Sequence, residues 1–416
     1  MSENFNFDAL LEEALTSSET FQTNLEKVLH PLTTDKLASL VKVLESGGVV
    51  SKQLVSNLFI EKLGEKGAQY LTDNLTIDRP ALFIEAASIL GTLQFDAAVD
   101  KLKSAIEKKV QELVLPSVRA LAMMKPSRKV DDILVNFYLG CEDEVKLFSS
   151  IRYLLPRHET LVHEMLEKYR GLNEDRRMWV LKFLAETGNP EALRLFSEEL
   201  DIAPLERGLY CIAGLGRIPC EESVQILLKH LKHPEWFLRK RIVEALGQTM
   251  QPTAVAPIIS MIEDESVQVR AAAVESLSKV GNLMPELLVK KLKSSSNHIK
   301  INLIRAMGQL KNKMFLKPLI EELKDRSALF FTIDALGDLG FAEAEMPLRR
   351  LLKDKEWFNR LNALEALAKL HLNNIAQIAQ ECAQDENDMV RNSAARILAS
   401  RQSAGSSSSE SATAAS

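Results

Sequence analysis

Apolar residues recur at three- and four-residue spacing along most of this chain, in short runs separated by Gly, Asn or a few polar residues. Such spacing places one apolar stripe on one face of an α-helix. PTAVAPIISMIED and EAEMPLRRLLKDK each read as one short helix. A brief turn and a second helix such as VQVRAAAVESLSKVG follow. The Gly, Asn or polar run that closes the second helix suits C-cap chemistry. The pattern therefore predicts helical hairpins.

The hairpins are periodic. Marking the apolar residue in each Ala-Leu-Gly-like ending gives Leu90, Leu121, Leu154, Leu184, Leu215, Leu246, Leu277, Met307, Leu336, Leu367 and Leu398. The steps between them are 31, 33, 30, 31, 31, 31, 30, 29, 31 and 31 residues. One hairpin cannot bury its own apolar faces, whereas stacked hairpins share a continuous core. The fold class predicted is all-α, an α-solenoid superhelix of about 11–12 stacked hairpins with a period of about 31 residues. Small residues beside the marker, such as Ala245, Gly247, Ala335, Gly337, Ala366 and Ala368, let adjacent helices approach closely.

Residues 1–80 fit the period poorly but remain helix-like in FDALLEEAL, KLASLVKVLES and SKQLVSNLFIEKLG. They read as a capping helix and one or two irregular hairpins, residues 81–401 as the regular array, and the Ser/Ala-rich residues 402–416 as a disordered tail.

Composition narrows the function. The 416 residues are 46% hydrophobic and 6% aromatic, with Leu and Ala dominant, which favours helices over strands. A net charge of −5 makes the whole chain no electrostatic trap for nucleic acid. Cys141, Cys211, Cys220 and Cys382 form no C-x-x-C or zinc-like spacing and read as reduced, mostly buried thiols. MSENFNFDALLEEAL lacks a signal-peptide pattern, and no apolar run approaches a membrane span, so a cytoplasmic location is expected.

The second-helix signature, in VQVRAAAVESLSKVG and MVRNSAARILAS, resembles HEAT repeats over roughly residues 80–400. The short repeat is similar to the bacterial class named after phycocyanobilin lyase subunits. That resemblance implies a protein-binding solenoid, or alternatively an accessory subunit of a bilin lyase or related chromophore-attachment enzyme. It also implies a ladder between neighbouring repeats, built from an Asp in the turn and an Arg six residues later. Asp264 and Arg270, Asp354 and Arg360, and Asp385 and Arg391 have this spacing. His233 with Arg239 keeps the Arg alone, Ser294 with Lys300 is a weaker version, and Leu329 should break the ladder.

Enzymatic chemistry finds little support. His158-Glu159 and His163-Glu164 lie five residues apart, about 140° around a helix, so they share no face. In deoxyhypusine hydroxylase, a HEAT-type di-iron enzyme, such pairs come from separate repeats. His230 and His233 share a face at i, i+3, but nothing nearby supplies a third ligand. Neither Cys211 nor Cys220 has a visible base or oxyanion motif. No catalytic residue, cofactor or metal is expected.

Binding surfaces are the better candidates. Residues 287–320 hold eight Lys or Arg and no Asp or Glu, and so read as a local positive patch around Lys290, Lys293, Lys300, Arg305, Lys311 and Lys313. An acidic protein partner, a nucleic acid and a plain solvated face are the three readings, and missing aromatic stacking residues weaken the second. In HEAT-like stacks the second helices line the concave face. Two residues before each marker lie Lys182, Ala213, Glu244, Glu275, Arg305, Asp334, Glu365 and Arg396, a row of mixed sign suited to a protein partner. Finally, Glu-Trp-Phe-x-Arg occurs twice. Trp236 and Trp357 each lie ten residues before a marker and 121 residues apart, four repeat steps. They read as a structural joint, the indole filling the hairpin corner. Phe358, with Phe330, Phe331 and Trp357, is a candidate aromatic surface for a partner.

Overall fold

The computed structural model describes residues 30–202 and 205–413, with side chains described as far as residue 400. FDALLEEAL, read above as a capping helix, and residues 414–416 lie outside the described residues. Every element among the described residues is helical, and none is a strand. They group into two compact units divided between Ala192 and Leu193.

In the first unit, helix Thr34–Ser46 packs on Pro80–Thr92, and the chain between them forms Val49–Leu58, a π-helical turn Phe59–Leu63, and Gly64–Asp73. Thr33 caps the first of these, its hydroxyl accepting from the Lys36 N–H at 3.5 Å. Regular hairpins follow, with second helices Val114–Met123, Glu144–Leu154 and Glu174–Thr187. The second unit repeats the hairpin with second helices Leu205–Arg217, Trp236–Gln248, Val267–Val280, Asn297–Gln309, Leu329–Leu339 and Trp357–Lys369, and ends in Asp388–Thr413. That last helix runs on into the Ser/Ala-rich segment.

The markers from Leu90 to Leu367 are wholly buried, and only Leu398, in the final helix, is partly exposed. Each first helix tends to begin with a single 3-10 turn whose last residue is buried, as at Ala98, Ala192, Ala254, Phe315 and Ala344. Six second helices are followed by a left-handed residue, which is Gly188 or Gly340 in two repeats. Gln94, Met250, Lys311 and His371 take that conformation in four others, despite its cost for a residue with a Cβ.

Neighbouring second helices meet through small residues. A Cβ on Gly216 would lie 2.9 Å from the Ala245 Cα, one on Gly247 2.8 Å from the Ser276 Cβ, and one on Gly308 2.7 Å from the Ala335 Cα. Gly337 meets Ala366 in the same way, at 2.8 Å, as does Gly91 with Ala120 in the first unit. The residue after one marker thus packs on the residue before the next, holding the second helices in close and fixed register.

Candidate functional site

The ladder is built between repeats, with different partners from those the six-residue spacing suggested. Arg270 Nη1 donates to the backbone carbonyls of Asp264 and Glu265, at 2.7 and 2.9 Å, not to the Asp264 carboxylate. That carboxylate instead receives Arg239 from the preceding repeat, Nε at 2.8 Å and Nη2 at 3.0 Å, across 25 residues. Arg360 and Asp385 repeat the arrangement at 2.8 Å for both bonds, with the same 25-residue separation. Lys300 and Asp325 form a third such pair at 3.2 Å, reinforced by Glu322 at 2.9 Å. Arg239 needs no Asp in its own turn, because it takes the carbonyls of His233 and Pro234, both at 2.8 Å. Arg391 likewise binds the carbonyls of Asp385 and Glu386.

Leu329 does not leave the next rung empty. It is buried, and Arg326, three residues earlier, reaches the Asp354 carboxylate at 2.5 Å. Asn359 Nδ2 donates to the same carboxylate at 3.1 Å. Electrostatics follow the geometry. Burial pushes the Asp264 carboxyl up, but Arg239 and the Ser266 N–H outweigh it and hold it below the usual carboxylate range. Hydrogen bonding to Arg360 holds Asp385 low despite burial.

The basic stretch 287–320 does not form one patch. Lys290, Lys291 and Lys293 lie on the first helix Pro285–Ser294, whereas Lys300 and Arg305 lie on the second, Asn297–Gln309. Neighbouring repeats bring carboxylates to it: Glu263 to Lys291 at 2.6 Å, Glu322 and Asp325 to Lys300, and Glu343 to Lys313. Lys290, Lys293 and Lys311 remain exposed. A stretch without acids is therefore neutralised in part, at Lys291, Lys300 and Lys313.

In the row two residues before each marker, Glu275, Arg305, Asp334 and Arg396 are exposed and Lys182, Ala213, Glu244 and Glu365 half-buried. In the first unit, Lys182 Nζ sits 4.5 Å from the Phe148 ring centre and 4.7 Å from that of Trp179. In the second, Glu244 accepts from Arg241 at 2.9 Å and Glu275 from Lys279 at 3.0 Å, each within its own helix. Lys369 bridges Asp334 and Asp338, both at 2.7 Å, and Arg396 reaches Glu365 at 2.8 Å.

Trp236 and Trp357 occupy equivalent places, the first residue of a second helix. The indoles do not fill a corner: they are 43% and 40% exposed, because that position projects away from the hairpin core. Each contacts the following Phe edge-on, at 6.1 Å. Phe330 and Phe331 form a separate edge-on pair at 5.2 Å, and Phe358 is exposed.

The histidines do turn and surface work. His158 Nδ1 lies 2.9 Å from the Leu155 carbonyl, and His163 faces Glu167 and Glu191. His233 Nδ1 accepts from the Glu235 N–H, while His230 faces Asp201. No His, Cys, Asp and Glu cluster among the described residues is arranged to hold a metal. Burial raises the Cys211 thiol far above its ordinary value, so it stays protonated. A cavity of about 740 Å³ opens in the first unit over Ile106, Val114, Ile133 and Phe137. Its rim charges are matched, Lys129 with Asp100, Lys103 with Glu107 and Lys146 with Asp143.

Among the described residues, no helix is long and apolar enough to cross a membrane. No curated relative matches the chain. Among solved structures, the chain is similar to the karyopherin Kap121p bound to Pho4p, with a TM-score of 0.54, 15% identity, 95% of this chain and 54% of that chain covered. Kap121p bound to Nup53p gives 0.54, 14%, 95% and 53%. Kap121p bound to the extreme C-terminus of the protein phosphatase Cdc14p gives 0.53, 14%, 95% and 54%. At that identity the likeness is one of fold, and the chain spans about half the length of these structures. The sequence of residues 208–278 and 316–399 matches HEAT repeats. Hairpins of this kind recur within each unit, and over the matched residues they are HEAT repeats.

Proposed function

We propose that this chain is a scaffold that binds a protein partner along the exposed faces of its second helices, and is not itself an enzyme. The observation that carries this reading is the row from Glu244 to Arg396: one charged side chain per repeat, exposed at Glu275, Arg305, Asp334 and Arg396 and half-buried at Glu244 and Glu365. Close Gly–Ala joins fix the spacing of the helices that carry it. A partner meets a periodic, pre-organised surface of mixed sign, on which many weak contacts add up. Charge of mixed sign suits a protein surface better than a phosphate backbone, which rewards a continuous run of cations. The Kap121p structures, which hold bound protein segments, support the fold's suitability for this role.

The test is site-specific photo-crosslinking in the cell of origin. A benzophenone amino acid at Asp334 or Glu365 is expected to give a discrete protein adduct. The same probe at Glu222 or Glu286, exposed on first helices, is expected to give none. Adducts from the first-helix positions alone would sink the reading.

A further inference from the structure

One rung of the ladder is incomplete. Arg270 occupies the place of Arg239 and Arg360, and its Nη1 likewise binds two carbonyls of its own turn. In those other rungs the remaining N–H groups meet an Asp 25 residues on and the Glu after it. Here the marker step is 30 residues, one shorter than at those rungs, so the Asp place, two residues before the cap of the second helix, falls on Ser294 and the Glu place on Ser295. Neither carries a carboxylate, and both hydroxyls donate instead to the Lys291 carbonyl, at 3.2 and 2.7 Å. Among the described residues, Nε and Nη2 of Arg270 make no hydrogen bond.

The join beside this rung is also open. From Leu205 to Lys369, four of the five joins between second helices place Gly after the marker, at Gly216, Gly247, Gly308 and Gly337. The fifth has Ser278, whose side chain demands room that glycine does not. Helices Val267–Val280 and Asn297–Gln309 pack less closely than their neighbours and leave a cavity of about 480 Å³ between them. Arg270, Glu275, His298, Ile301, Asn302 and Arg305 line it. Lys279 already holds Glu275, whereas Arg305 makes no ion pair among the described residues. The groove is thus locally positive on a chain of net charge −5.

A guanidinium with two adjacent N–H groups unfilled is a bidentate receptor for a carboxylate. The empty rung lies at the start of helix Asn297–Gln309, and Arg305 lies eight residues beyond Asn297, which is about 12 Å along the helix. That distance is about three residues of extended chain, too long for one small anion to bridge. The geometry points to this groove as the docking site for an acidic peptide segment of a protein partner, one carboxylate completing the rung on Arg270 and another reaching Arg305. The assignment rests on the scaffold reading above and names the partner's chemistry.

Anisotropy of fluorescein-labelled octaglutamate, titrated with the full chain, tests it. Saturable binding is expected, with R270A and R305A each weakening it about tenfold. Because R270A also removes bonds to its own turn, a second variant keeps Arg270 and fills the rung from within. S294D/S295E restores the Asp-Glu sequence found at 264–265 and 385–386. It is expected to melt no lower than the wild type and to bind octaglutamate about tenfold more weakly. Unchanged affinity in S294D/S295E overturns the proposal. So does a short DNA duplex that binds more tightly than octaglutamate with the same dependence on both arginines. If octaglutamate fails to bind while crosslinks from Asp334 and Glu365 persist, the acidic groove is overturned and the scaffold reading stands.

Discussion

Arg239 fastens two repeats at once: its Nη1 holds the carbonyls of its own turn, while Nε and Nη2 grip the Asp264 carboxylate 25 residues further on. Both side chains are almost fully buried, so either one alone would be a buried and uncompensated charge. Arg239→Ala is therefore expected to lower unfolding free energy by about 3 kcal/mol. Arg239→Lys should recover little of that, since an ammonium cannot serve two carbonyls and a bidentate carboxylate together. Urea denaturation of the three proteins checks both statements. A loss below about 0.5 kcal/mol for the Ala variant, the range of ordinary surface substitutions, would reduce the ladder to decoration.

The glycine joins make a prediction of opposite sign at two sites in the same unit. A Cβ on Gly308 would meet the Ala335 backbone at 2.7 Å from Cα and 3.0 Å from O, so the helices must part. Gly308→Ala gains helix propensity worth about 1 kcal/mol but incurs overpacking of about 1–3 kcal/mol. Net destabilisation is expected. Gly208 also lies inside a second helix, yet its Cβ would meet only the tip of Leu200, at 3.8 Å. Gly208→Ala should be neutral or stabilising. Calorimetry that ranks the two variants the other way would refute close packing at the Gly308 join.

These two relationships differ in how far the sequence discloses them. The marker leucines and small residues follow from a regular period, because burial of one residue per repeat leaves a trace every 31 positions. The rungs do not, because Asp264 and Arg270 at six-residue spacing say nothing about which oxygen the guanidinium meets. The backbone carbonyl takes that bond, and the carboxylate goes to a residue 25 positions back. Charge in 287–320 misleads for the same reason: Glu263, Glu322, Asp325 and Glu343 arrive from adjacent repeats and belong to no local count. Trp236 and Trp357 show a further limit, since residue type suggests burial while their place at a helix start dictates exposure.

Acid should loosen the ladder in a defined window. The folded pKa values of Asp264, Asp354 and Asp385 are all lowered from the ordinary 3.8. A carboxylate depressed on folding contributes its full stability above the unfolded value and loses it as pH falls through the folded one. The ladder contribution is thus intact at neutral pH, begins to fall near 3.8, and is gone only well below it. Asp264→Asn and Asp385→Asn are expected to be less stable at neutral pH and to flatten the pH dependence below that point. Thermal melts from neutral to acidic pH check this. Wild type and variants that run parallel throughout would show that the rungs do not titrate with folding.

Charge reversal on the second-helix face should separate binding from stability. Glu244 and Glu275 bond only within their own helices, to Arg241 and Lys240 and to Lys279. Exposed helical pairs of this kind contribute about 0.3–0.5 kcal/mol each. Glu244→Lys and Glu275→Lys are therefore expected to shift the melting temperature by no more than about 2 °C, the scale of such an increment in a domain of this size. Reversal leaves the packing beneath untouched, because Val243, Ala245, Ser276 and Leu277 stay buried whatever the exposed residue is. A partner that reads the face meets a repulsive charge in place of an attractive one, and its affinity should fall about tenfold for each change. Loss of several degrees in the melt would make these side chains structural. Unchanged stability with unchanged capture of the protein crosslinked at Asp334 would place the contact elsewhere on the repeats.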